Sequence, residues 1–262
     1  MSENSNTATI NPLKARLKAG KPCVGILVTI PNVGMVQTLA DAGYDWLFID
    51  MEHGPITIES AHAMIAATKG TRSCPLVRVP WNVHWLVKPV LDAGAMGIIF
   101  PMIRSADEAR KAVSAMRYPP GGQRGSGPFF APARFGLDTA EYTARADEEL
   151  FTLLLIEHRD AVDDIDNIIK VPGIDACLIA PFDLSMSYGF QDGPDHPEVQ
   201  EAIERVERAV LPTSIALGGF TATAEAANEK IAKGYKLALT GYDIMLLRQA
   251  TDALLNAIDR GD

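Results

Sequence analysis

The sequence predicts a single (β/α)8 barrel, on three observations. Eight short apolar runs, each nearly continuous, read as strands buried on both faces. Longer amphipathic segments alternate with them, the pattern of parallel strands joined by helical crossovers. The 262 residues, without a composition break, suit one barrel of this kind. A doubly wound open sheet is the main rival. It should show G-x-G-x-x-G after a strand, and none is present.

The elements follow in order within one domain, residues 1–262. Residues 1–20, "MSENSNTATINPLKARLKAG", form an N-terminal extension and lack the apolar core of a secretory signal. "CVGILVTI" is the first strand, and "NVGMVQTLADAG" a helix ending on a glycine suited to the C-cap. "DWLFID" is the second strand. "TIESAHAMIAATKG" follows as a helix opening on Thr57 with Glu59 and Ser60 beside it. "PLVRVP" and "MGIIFP" are the third and fourth strands. "SADEARKAVSAMR" is a helix with Ser105 at the N-cap and Glu108 at capping-box spacing. "FTLLLIE", "DACLIAP", "PTSIALG" and "KLALTG" complete the strands, with "HPEVQEAIERVERAV" and "YDIMLLRQATDALLNAI" among the later helices. One connection is abnormally long. Residues 117–138, "RYPPGGQRGSGPFFAPARFGLD", are rich in glycine, proline and phenylalanine. A lid or an interface is as good a reading of this loop as a structural one, with Arg124 and Arg134 facing an acid substrate or a neighbouring subunit.

Composition excludes several function classes. The net charge is -9 and no basic run occurs, so neither nucleic acid nor an anionic membrane surface is an expected partner. No apolar stretch is long enough to span a bilayer. The cysteines Cys23, Cys74 and Cys177 are widely spaced within or beside apolar runs, and read as buried hydrophobes of a cytoplasmic protein.

In such a barrel the C-terminal ends of the strands share one rim, where chemistry collects. The second strand ends in Asp50, Glu52 and His53, and the third carries Arg78. The fifth ends in Glu157, followed by His158. The sixth runs into Asp183. The seventh closes on Gly218-Gly219 and the eighth on Gly241. Glu157 and Asp183 belong to adjacent strands, which lie about 4.8 Å apart. Two carboxylates converging there need a positive charge between them, and Mg²⁺ or Mn²⁺ suits an all-oxygen site. The alternative is that Glu157 pairs with Arg159 and Asp183 caps the turn after it. His53 is a candidate base or a hydrogen-bonded turn residue. Arg78, on an apolar strand, needs a carboxylate or a substrate anion. Lysines fall on helices or, as with Lys236, at the wrong end of a strand, so no Schiff-base lysine is expected at the rim.

"FIDMEHGP", "LVRVPWN", "LDAGAMGIIFPMIRSADEARKAV", "RYPPGGQRG", "IEHRDAVDDIDNII", "APFDLS" and "DHPEVQEAI" are collinear from about Gly25 to Leu255. Together they resemble the HpcH/HpaI family of metal-dependent pyruvate aldolases. The resemblance implies a barrel assembled as a homo-hexamer, with the last helix exchanged between subunits. It implies reversible cleavage of a 4-hydroxy-2-oxoacid to pyruvate and an aldehyde, through a pyruvate enolate. It assigns Glu157 and Asp183 to a divalent metal, Mg²⁺ or Mn²⁺ with Co²⁺ as a further candidate. It assigns His53 as base, Asp92 as the histidine's partner, Asp50 as a nearby acid, and Arg78 to the keto oxygen. The pyruvate carboxylate falls near the backbone of Phe182 and Asp183. The same site would serve oxaloacetate decarboxylation or chemistry like that of macrophomate synthase, a family relative. A non-catalytic oxoacid-binding protein is the rival of another class. Three departures bear on substrate. "LVTIPN" replaces the tryptophan-containing segment that the family often carries after the first strand. Leu155 stands where the family carries a glutamine. Ala180-Pro181-Phe182-Asp183 replaces the usual Gly-Pro-Ala-Asp.

Overall fold

Eight parallel strands pair in sequence order, and β8 returns to β1 to close a barrel. They are β1 (Cys23–Val28), β2 (Trp46–Asp50), β3 (Cys74–Arg78), β4 (Gly97–Phe100), β5 (Phe151–Ile156), β6 (Ala176–Ile179), β7 (Ala216–Thr221) and β8 (Leu237–Tyr242). This structure is a computed structural model that describes residues 10–260. Helices α1 (Pro12–Lys18), α2 (Val33–Asp41), α3 (Ile58–Ala67), α4 (His84–Asp92) and α5 (Ala106–Met116) precede β5, with α6 (Ala131–Phe135) and α7 (Thr139–Glu149) in the long connection. After β5 come α8 (Arg159–Asp163) and α9 (Ile165–Ile168), then α10 (Pro181–Ser187), α11 (Pro197–Val210), α12 (Ala224–Ala232) and α13 (Asp243–Asn256).

Side chains alternate between the barrel interior and the helical ring. On β1 and β2, Gly25 is paired with Trp46. A Cβ at Gly25 would sit 2.2 Å from the indole, so glycine leaves room for the ring inside the barrel. Two positions on from Trp46 comes Phe48, and two further comes Asp50, all on the inner face. The same alternation on β5 takes Leu153 to Leu155 and then to Glu157 at the rim. The outward positions, such as Ile26, Leu47, Ile49 and Ile98, are fully buried beneath the helices.

The N-terminal end of the barrel is stoppered by residues 10–20, the described part of the segment read as an extension. Asn11 is fully buried at the start of α1 and donates to the carbonyls of Met96 and Glu149, at the entries to β4 and β5. The Glu149 carboxylate in turn accepts from the Ile10 and Asn11 backbone N–H groups.

Two strand ends differ from expectation. β7 begins at Ala216 because Thr213 folds the preceding residues into a turn, its N–H on Val210 and its hydroxyl accepting from Ile215 N–H. Gly218 and Gly219 are therefore inside the strand rather than at its close, and Phe220 reaches the mouth. β8 likewise runs one residue past Gly241, to Tyr242. The box at Ser105 is half formed, since Ser105 accepts from Glu108 N–H while the Glu108 carboxylate takes the N–H of Arg104. All three cysteines are free and buried, and burial pushes each thiol up to about 12, so they pack as small hydrophobes. No described helix is long and apolar enough to cross a membrane.

Candidate active site

β2 ends in a turn built by one carboxylate. Asp50 is buried, and its Oδ1 accepts from the N–H of Glu52 at 3.0 Å and of His53 at 3.4 Å. The same carboxylate grips Arg78 on β3, two bonds of 2.7 Å from Nε and Nη2. Register sets this up, since Asp50 and Arg78 are paired across the two strands. A buried bidentate pair of this kind is strong and leaves the guanidinium one orientation. Gly54 then lets the chain pass. A Cβ there would lie 2.4 Å from the Asp50 carbonyl and 3.2 Å from that of Thr29. Gly54→Ala is therefore expected to cost about 1–3 kcal/mol from overpacking, read as a lower urea midpoint. An unchanged midpoint would mean the turn shifts freely.

Around Arg78 stand more acids than bases. Glu52 Oε2 lies 3.0 Å from Arg78 Nη1, a charge contact without hydrogen-bond alignment, and 3.9 Å from His53 Nε2. Burial pushes the Glu52 carboxyl up, opposed by Arg78 and reinforced by Asp50 and Asp183. Glu157, just past β5, is almost fully buried. Burial carries its carboxyl up to about 7, and the charges of Asp183 and Glu52 add to the rise. Its one described hydrogen bond comes from the Met102 N–H at 2.5 Å. Met102 holds a left-handed backbone, φ 52°, unusual for a residue with a side chain. Asp183 sits in the first turn of α10, whose N-cap Ala180 supplies no side-chain cap. Four carboxylates thus share one guanidinium and one solvent-exposed imidazole.

Of the expected site residues, Asp50, His53, Arg78, Glu157, Asp183 and Phe182 gather at this rim. Phe182 is half exposed at the edge of a mouth cavity of about 470 Å³, which Leu155 also lines. Asp92 lies elsewhere in the protomer. It ends α4 and accepts from Arg124 Nη2 at 2.8 Å, beside a separate cavity of about 610 Å³ shared with Lys88 and His62. The acid next to His53 is Glu52, which stood in the "IDMEHGP" run without a role. Arg124 sits differently from the expectation for the long loop. It faces neither an acid substrate nor a surface open to a neighbouring subunit but is fully buried within the chain, bonded to Asp92 and Tyr142 and lying 4.6 Å over the Tyr118 ring. Arg134 donates to the Ser73 carbonyl. The long connection is thereby tied down, with Phe135 buried and Phe129 and Phe130 exposed. Glu157 has no described bond to Arg159, whose guanidinium lies over Tyr188 instead. No lysine lines the mouth cavity or the basin beside His53.

Whether this rim suits a metal turns on its donors. Among the described residues no group of three or more His, Cys, Asp or Glu side chains forms a ready-made ligand cage. Glu157 and Asp183 are two hard oxygen donors that repel across the rim. Magnesium-type ions take one or two carboxylates and complete their shell with water and substrate, so the pair fits that class and not a four-ligand zinc centre.

A model of the HpcH/HpaI aldolase/citrate lyase family matches residues 24–250. The chain is 37% identical over 256 residues to a 2-keto-3-deoxy-L-rhamnonate aldolase of Escherichia coli O157:H7, covering 98% of this chain and 96% of that protein. It is also 37% identical over 244 residues to a 4-hydroxy-2-oxo-heptane-1,7-dioate aldolase of Escherichia coli (strain ATCC 8739), covering 93% of each. Among solved structures, a HpcH/HpaI aldolase/citrate lyase family protein from Burkholderia cenocepacia J2315 superposes with a TM-score of 0.87 at 33% identity, over 94% of this chain and 98% of that one. The family model matched over most of the chain, with aldolase relatives 37% identical over nearly its whole length, places this carbon–carbon lyase in the HpcH/HpaI aldolase/citrate lyase family.

Proposed function

We propose that the protein is a divalent-metal-dependent aldolase that cleaves a 4-hydroxy-2-oxoacid to pyruvate and an aldehyde, and runs the reverse addition. The observation that carries this reading is that the like charges of Glu157 and Asp183 act on one another at the rim, beside an arginine already claimed by two other acids. Such a rim is short of positive charge. Magnesium or manganese held by Glu157 and Asp183 would supply electrophilic stabilisation of the charge that develops on the 2-oxo oxygen.

The chain's own residues do the rest. Arg78 has five N–H donors, of which Asp50 takes two. With Glu52 engaging Nη1, donors remain for the 2-oxo oxygen, where they stabilise negative charge from a fixed position. Asp50 acts through Arg78 and through the turn that carries His53. His53 faces solvent at the edge of this basin, placed to take the proton from the 4-hydroxyl and pass it to water. Glu52 Oε2 lies 3.9 Å from the Nε2 atom of that imidazole. Phe182 and Asp183 open α10, whose backbone N–H groups suit the substrate's carboxylate. The homo-hexamer belongs to the same proposal. Leu247, Leu254, Leu255 and Ile258 of the C-terminal segment are exposed, which supports their burial against another copy.

The test is exchange of pyruvate methyl protons with deuterated water, followed by proton NMR with Mg²⁺ or Mn²⁺ present. The proposal expects exchange well above the buffer rate. Pyruvate that binds without exchanging would instead mark an oxoacid-binding protein.

A further inference from the structure

The mouth cavity has walls of carbon. Leu27, Phe48, Leu155, Leu178, Phe220 and Leu239 point into it from six different strands or strand ends. Its charged lining residues are Arg78 and Asp183 alone. Arg78 is bracketed by Asp50 and Glu52, and the donors it has left serve the oxoacid end rather than the tail. The adjoining basin adds Asp50 and His53 but no lysine or second arginine.

From this we infer that the substrate carries an uncharged, apolar tail beyond its oxoacid end, and that a second, terminal carboxylate is selected against. The inference rests on the aldolase reading and names its substrate class. An oxoacid anchored between Arg78 and Asp183 must run its remaining carbons along the leucine and phenylalanine walls or out past Tyr242. Hydrocarbon there releases water from apolar surface. A carboxylate on the same path meets no counter-charge and loses hydration against carbon. It also meets the excess negative charge of Asp50 and Glu52, two acids set against the one guanidinium of Arg78. Leu155 matters most for this chain, because it puts a buried methyl-rich group two positions before Glu157 on the inner face of β5. The cavity of about 470 Å³ is roomy for a six-carbon chain.

Calorimetry with the Mg²⁺-loaded protein and two unreactive six-carbon ligands tests this. They are 2-oxohexanoate and 2-oxohexanedioate, which differ only at the far end. The monoacid is expected to bind at least about tenfold tighter. Equal or tighter binding of the dioate, or failure of both to bind, overturns the inference. The outcome is separable from the aldolase reading. Pyruvate exchange together with dioate preference sinks the tail assignment alone. Monoacid preference without exchange sinks the reaction alone. Tyr242→Lys, at a partly exposed position on the same wall, puts a cation in the path. It is expected to tighten the dioate about tenfold and so close the gap. A gap left unchanged by that substitution would place the tail elsewhere and overturn the inference as well.

Discussion

Replacing Arg78 by methionine is expected to cost the fold about 3–5 kcal/mol, because it strips the counter-charge from buried acids. Asp50 and Glu157 are nearly inaccessible, and Glu52 is mostly covered. In the native protein the guanidinium takes two 2.7 Å bonds to Asp50 and lies 3.0 Å from Glu52. Methionine fills similar volume but leaves the Asp50 carboxylate without its partner. Urea unfolding reads the loss. Arg78→Lys separates folding from chemistry. A lysine restores charge but cannot present the planar pair of donors that Asp50 now accepts. The lysine variant should recover most of the stability and still lose at least about a hundredfold in kcat/KM. Full activity in Arg78→Lys would show that orientation of the donors is irrelevant. Native stability in Arg78→Met would show that the acids are not held by this charge.

Glu157→Gln should move stability and activity in opposite directions. Glu157 is buried, feels the negative charges of Asp183 and Glu52, and has the Met102 N–H as its described bond. An amide keeps the shape and an acceptor for Met102, and removes a charge that its neighbours repel. In metal-free protein at neutral pH or above, relief of about 1 kcal/mol is expected, or about 2–4 °C in Tm for a chain of this size. A functional site that stores unfavourable charge behaves in this way. Activity should fall by about a thousandfold, since a neutral amide is a poor substitute for an anionic ligand. Differential scanning calorimetry and steady-state assays of the same preparation give both readouts. A lower Tm with intact turnover would mean that Glu157 is a structural acid.

Much of this was legible in the residues. Continuous apolar runs such as "DWLFID" and "FTLLLIE" place strands because both barrel faces are buried, and each run hands its next inward residue to the rim. Asp50, Arg78 and Glu157 are found by that rule, and Asp183 by the strand-to-helix step in "IAPFDL". Local polar chemistry hid the entry to β7, where Thr213 makes a turn inside an apolar stretch. Long-range pairing hid the rest. Nothing near Arg124 in the chain announces Asp92, 32 residues away, or the two tyrosines that enclose it. Glu52 was in plain view beside His53, but its contact with Arg78 depends on the strand register that only the folded barrel provides. Met102 left no signal, since its part is played by a backbone N–H and a left-handed φ.

We propose that this rim stabilises a pyruvate carbanion only when a divalent cation joins Glu157 and Asp183. The most direct measurement follows deuterium entering the pyruvate methyl group while metal is stripped with EDTA, removed by dialysis and returned as Mg²⁺ or Mn²⁺. Incorporation should fall to the buffer background on stripping and recover on return, with no recovery in Glu157→Gln. Undiminished incorporation by the stripped protein would mean that the rim forms the carbanion without a metal.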